Sequence, residues 1–157
     1  MFLPVVNVDG AALVEQHWLS EHKILNKRKN GNPAFYVQCG DENSGVDLNR
    51  NYGIDWQKGN LKNKTELCSD FWPGEKAFSE PESRALRDYV AANKKSIKFI
   101  INCHTSGNDF IWPYNGREPN DLESRNPGML AVFKDIAKNA PFPDGVMKGN
   151  SYEVIGD

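Results

Sequence analysis

The run Ile97-Lys98-Phe99-Ile100-Ile101-Asn102-Cys103 most limits what this chain can fold into. It is short, mostly apolar and rich in β-branched and aromatic residues, which reads as a strand covered on both faces. A helix start precedes it. In Phe78-Ser79-Glu80-Pro81-Glu82, Ser79 reads as the N-cap, Pro81 sits in the first turn, and Glu82 completes a capping box. Leu86, Tyr89, Val90 and Asn93 follow at helical spacing, one apolar face leading into the strand. A helix feeding a fully covered strand is a unit of α/β architecture.

The rest of the chain extends that pattern. Phe2 to Val8 reads as a short buried strand with Asn7-Val8-Asp9-Gly10 as its exit. Ala11 to Trp18 then reads as a helix capped by Asp9. Phe110 to Tyr114 looks like a further short strand. Pro127 to Ala140 is amphipathic, with Met129, Leu130, Phe133, Ile136 and Ala137 on one side. The expected fold is α/β, a mixed and largely parallel sheet covered by helices on both faces, with residues 1–157 in one domain and no internal repeat. Two polar stretches interrupt it. Lys23 to Asn32 is a basic loop. Cys39 to Lys76, rich in Gly, Asn, Asp, Ser and Lys, reads as a long structureless segment, a feature that is usually functional in a compact domain.

Bulk properties exclude several classes. The 157 residues are 39% hydrophobic, enough for a real core. With 19 basic and 21 acidic residues, the net charge of −2 offers no footprint for nucleic acid or an anionic membrane surface. No run approaches the roughly 18 apolar residues of a membrane span, and Met1-Phe2-Leu3-Pro4 has no signal-peptide pattern. Cys39, Cys68 and Cys103 allow either one disulfide with one free thiol or three free thiols. Asn63-Lys64-Thr65 fits a glycosylation acceptor.

Candidate chemistry centres on Gly45-Val46-Asp47-Leu48-Asn49-Arg50-Asn51. A guanidinium offers a planar fork matched to two carboxylate oxygens, and a neighbouring amide adds a further donor. Asn49 and Arg50 therefore suit a ligand ending in a free carboxylate. The plainer reading is an Arg paired to an Asp in an Asn-shaped turn. Asp47 either orients a histidine through its second ring nitrogen or serves as a turn residue. His104 stands at the end of the apolar run, where open α/β sheets bind ligands; it is either a ligand to a metal or a hydrogen-bonded structural histidine. His17 and Glu21, four apart, share a helix face that is ordinarily solvated. Arg28 lies in the basic loop.

Taken in order, these segments resemble the zinc metallocarboxypeptidases of the carboxypeptidase A, B and D kind. Pro4 to Gly10 is similar to that family's strand and turn, and Arg28-Lys29-Asn30 to its Arg-Lys loop. Gly45 to Asn51 resembles its Gly-Val-Asp-Leu-Asn-Arg-Asn motif, and Phe78 to Glu82 its Ser-Glu-Pro-Glu helix start. Ile101 to Thr105 with Trp112-Pro113-Tyr114 resembles the strand carrying its third zinc ligand and the strand after it. The resemblance implies one zinc ion with His104 as a ligand and Arg28 on the oxyanion. It also implies Asn49 and Arg50 on the substrate carboxylate, and Asp47 behind another ligand histidine. Cys39 and Cys68 fall where some secreted members have a disulfide, which favours a secreted, vesicular or lysosome-like compartment.

The resemblance covers a central portion of such a domain. The family's His-x-x-Glu pair lies upstream of the turn at Asn7, and its catalytic Tyr and general-base Glu lie downstream of the region of Gly149-Asn150-Ser151-Tyr152. Ser106 stands where many members have an aromatic residue. The expectation is part of an enzyme that hydrolyses a C-terminal peptide bond by zinc-activated water, inactive as this chain alone, with a peptide or protein C-terminus as substrate and a partner chain as one way to complete the fold. The alternative is a scaffold or carboxylate-binding module reusing part of the fold, without catalysis.

Overall fold

The computed structural model describes residues 1–54, 56, 66–104, 109–112, 121–139 and 147–148. The chain forms two compact units, one over Met1–Lys98 and one beginning at Phe99.

The first unit opens with α1, Val8–Glu21. Its cap is Asn7, whose Oδ1 accepts from the Gly10 N–H at 3.0 Å, rather than the expected Asp9. Asp9 sits inside the first turn, where its charge complements the helix dipole. The strand expected over Phe2 to Val8 does not form. Val8 already belongs to the helix, and Phe2 and Val5 are exposed. An apolar run becomes a strand only where a neighbour supplies ladder hydrogen bonds, and no described residue pairs with this one. The basic loop from Lys23 leads to a 3₁₀ turn, Pro33–Phe35, and then to α2, Tyr36–Asn43, which is broken at Gly40 (φ 70°).

The segment from Cys39 to Lys76 is not structureless where it is described. It contains most of α2 and a 3₁₀ turn over Leu48–Arg50, and it is closed on itself by a disulfide between Cys39 and Cys68 with Cα atoms 5.1 Å apart. Cys103 is an exposed free thiol.

Helix α3 spans Pro81–Asn93. Its N-cap is Glu80, and the Ser79–Glu82 capping box is absent. The Ser79 hydroxyl instead donates to Glu80 Oε1 at 2.7 Å. The reason is a competing partner, because the buried side chain of Asn51 supplies the cap from outside the helix. Asn51 Oδ1 accepts from the Glu80 N–H at 3.2 Å and from the Ser83 hydroxyl at 2.6 Å. Asn51 Nδ2 reaches the Pro73 carbonyl at 2.8 Å, Ser79 Oγ at 2.8 Å and the Lys76 carbonyl at 3.2 Å. Asn30 is a second buried amide hub. Its Nδ2 donates to Glu80 Oε2 at 2.8 Å, and its Oδ1 accepts from the Val46 N–H at 2.8 Å. The interior of this unit is thus largely a satisfied polar network packed beside Val46, Leu48 and Leu25.

Residues 97–104 form neither helix nor strand. Phe99, Ile100 and Ile101 are exposed, so the doubly covered strand expected there is not formed among the described residues. The same absence of ladder partners accounts for it. In the second unit β1 (Asp109–Phe110) pairs in parallel with β2 (Met147–Lys148). Helices α4 (Asp121–Arg125) and α5 (Pro127–Asn139) follow β1 in the chain. Leu130 and Ala137 of α5 join Trp112 and Leu122 in its core, with Phe133 and Met129 packed against it. Tyr114 and the rest of the expected strand beyond Trp112 lie outside the described residues.

Candidate functional site

The site is built by two short backbone segments lying side by side. The Asn30 N–H donates to the Val46 carbonyl at 3.0 Å, and the Asn30 side chain returns a contact to the Val46 N–H. Gly45 makes this approach possible. Its φ is 89°, and a Cβ there would land on the Asn30 carbonyl oxygen. The Asp47 N–H donates to the Trp72 carbonyl at 2.8 Å, bringing in a third segment. Asn7 fastens the other side: its Nδ2 donates to the carbonyls of Arg28 and Lys29, each at 3.2 Å.

Asp47 and Arg28 therefore face one another. Arg28 Nε and Nη2 each lie 2.9 Å from Asp47 Oδ2. Asp47 Oδ1 accepts from the Asn49 N–H at 3.1 Å, capping the 3₁₀ turn that carries Asn49 and Arg50. Arg50 is buried, with Nη1 donating to the Asn49 carbonyl at 2.6 Å, while Asn49 is half-buried. The Phe71 ring lies beneath both arginines, 4.8 Å from the Arg28 guanidinium carbon and 5.9 Å from that of Arg50.

The electrostatics follow from burial. Asp47 is pushed above the usual carboxylate range by desolvation, against the pull of Arg28 and Arg50. Lys29, fully buried, is lowered to about 8 by desolvation and then by Lys27, against Asp70 and Asp47. Its ammonium donates to the Leu67 carbonyl at 2.9 Å. This lysine ties the Arg28 segment to the disulfide-closed segment.

Of the residues singled out from sequence, Arg28, Asp47, Asn49 and Arg50 come together in the first unit. His104 belongs to the second unit and is exposed. His17 Nε2 stands 3.5 Å from Glu21 Oε1 on the outer part of α1. Sequence reasoning passed over Phe71, Lys29, Asn30 and Asn51. Asn51 was visible as the last letter of the Asn-Arg-Asn motif, and Lys29 as the neighbour of Arg28. Nothing local marked Phe71. Among the described residues no group of three His, Cys, Asp or Glu side chains gathers to hold a metal ion. These residues do not by themselves make a three-ligand zinc site.

The sequence matches the zinc carboxypeptidase family over residues 1–152. The chain belongs to the zinc carboxypeptidase family. Carboxypeptidase B of Bos taurus is 30% identical to it over 96% of this chain and 32% of its own length. An inactive metallocarboxypeptidase of Saccharomyces cerevisiae is 28% identical over 99% of this chain and 32% of its own length. Among solved structures, carboxypeptidase A of Helicoverpa armigera superposes with a TM-score of 0.63 at 28% identity, covering 98% of this chain and 36% of that one. The chain thus spans about a third of the length of the curated relatives it matches, and it superposes on part of a carboxypeptidase α/β fold.

Proposed function

We propose that this chain carries the substrate side of a carboxypeptidase active site. Asn49 and Arg50 hold the C-terminal carboxylate of a peptide, and Arg28 stabilises negative charge developing on the scissile carbonyl oxygen. Asp47 positions Arg28 and the turn bearing the anchor. The observation that carries this reading is the approach of two guanidinium groups, Arg28 and Arg50, to one ring, that of Phe71, with half-buried Asn49 preceding Arg50 on the same turn. Donors placed where charge develops, away from bulk water, stabilise it more than in solution.

His104 would be one ligand of the zinc that the family implies. The described residues gather no further ligands around it, so the proposal rests on the arginines and the amide. Residues 1–157 are read as one portion of a catalytic domain with a mixed, largely parallel sheet covered by helices on both faces. The parallel β1–β2 pair supports that reading. So does the exposed apolar surface of Val5, Val8 and Trp18, which further chain or a partner chain would cover. The disulfide supports a secreted, vesicular or lysosome-like compartment.

Steady-state hydrolysis of acyl dipeptides by the protein carrying this chain tests the assignment. Arg50→Ala is expected to raise KM for carboxylate-ended substrates. Arg28→Ala is expected to lower kcat by roughly 10²- to 10³-fold, as for other oxyanion donors. An unchanged KM in Arg50→Ala overturns the anchor. A second reading, carboxylate binding without hydrolysis, is favoured by the similarity to a relative named as inactive. Retained binding of a free C-terminus with no turnover would establish it.

A further inference from the structure

We propose that Phe71 is a positioning residue that holds two guanidinium groups in place, Arg50 for a substrate carboxyl terminus and Arg28 beside it for the scissile carbonyl, an inference that rests on the carboxylate-anchor reading above. The ring meets both cations, at 4.8 and 5.9 Å. Two guanidinium groups drawn to one place repel each other, and the negative face of an aromatic ring attracts both. Asp47 Oδ2 holds Arg28 and the Asn49 carbonyl holds Arg50, whereas Phe71 spans the two.

The support under the ring is more rigid than a surface loop requires. Lys29 Nζ ties down the Leu67 carbonyl, Cys68 is bonded to Cys39, and the Trp72 carbonyl accepts from the Asp47 N–H. The Phe71 N–H itself donates to Ser69 Oγ at 3.3 Å, and the Trp72 N–H to the Ser69 carbonyl at 3.1 Å. Yet Phe71 remains 42% exposed, so core burial does not explain why its backbone is fixed so firmly. A pinned backbone carrying a half-open ring under two cations is what positioning requires.

The test is NMR on the 157-residue chain with N-acetyl-Gly-Phe, as free acid and as amide. In the wild type the ring should shift the Arg28 Hε resonance upfield, and Phe71→Leu should abolish that shift. Phe71→Leu should also bind the acid about two- to fivefold more weakly, the range of an exposed cation–π contact, with the amide unaffected. Phe71→Trp should restore both. An unshifted wild-type Arg28 overturns the proposal without any variant. So does a Phe71→Leu chain that binds the acid as the wild type does. A wild type that binds acid and amide alike overturns the carboxylate-anchor reading and this inference together, whereas the other two results leave that reading standing.

Discussion

Arg28 Nε and Nη2 both lie 2.9 Å from a single oxygen of Asp47, Oδ2. The other oxygen caps the turn of Asn49 and Arg50. One buried carboxylate thereby holds both Arg28 and the turn that carries Asn49 and Arg50. A carboxylate has about four acceptor positions, and these contacts occupy three.

Removing Arg28 should leave Asp47 buried without its ion-pair partner. Arg28→Ala is expected to lose about 1–3 kcal/mol of stability at pH 7. Asp47 already titrates above its unfolded value, so its proton-linked stability is complete below the unfolded pKa and is lost as pH rises through the folded one. The variant raises the folded value further, so its deficit should shrink as pH falls towards 4. Urea unfolding at several pH values checks this, and a deficit independent of pH contradicts it.

Gly45 and Gly40 both have positive φ, but only Gly45 is crowded. An added Cβ at Gly40 meets nothing within 4 Å, while one at Gly45 meets the Asn30 backbone. Gly40→Ala should cost about 1–3 kcal/mol of conformational strain. Gly45→Ala should cost more than that, or prevent folding. Equal melting temperatures for the two variants would contradict the close approach of the Asn30 and Gly45 segments.

Lys29 should titrate near pH 8 when followed by its side-chain carbon resonances. Because its folded pKa is depressed, its proton-linked stability is present above the unfolded value and lost as pH falls through about 8. The wild type should therefore gain stability between pH 7 and 10 relative to Lys29→Met. Parallel pH profiles for the two proteins would refute the burial argument.

The Cys39–Cys68 disulfide closes a loop of sequence separation 29. Replacing both cysteines with serine should cost about 3–4 kcal/mol by loop-closure entropy. Before reduction a thiol reagent should label Cys103 alone. Labelling of all three thiols in the unreduced, denatured chain would exclude the pairing.

What could be read from the residues divides along physical lines. Helices α3 and α5 were legible because an apolar stripe at helical spacing is a local property; Leu86, Val90, Leu130 and Ala137 declare it without reference to anything else. The runs at Phe2 to Val8 and Ile97 to Cys103 misled because a strand is defined by its neighbours, and no described residue pairs with either. The caps went wrong at Asp9 and Ser79 for a related reason. Asn7 and Asn51 were better placed in space than the residues adjacent in sequence. The grouping of Asp47, Asn49 and Arg50 followed from their closeness in the chain. Phe71 could not be foreseen, because its place under Arg28 depends on the disulfide, Lys29 and the Trp72 carbonyl acting together.

Asn49 and Arg50 are proposed to anchor a free carboxyl terminus. Calorimetric titration of the chain with N-acetyl-Gly-Phe and with its amide tests this anchor most directly. The acid should bind at least about tenfold more tightly, as expected for charge-assisted hydrogen bonds. That preference should vanish in Arg50→Ala and weaken in Asn49→Ala, the milder change at a half-buried position. Equal affinity for acid and amide in the wild type, or a preference that survives both substitutions, would contradict it.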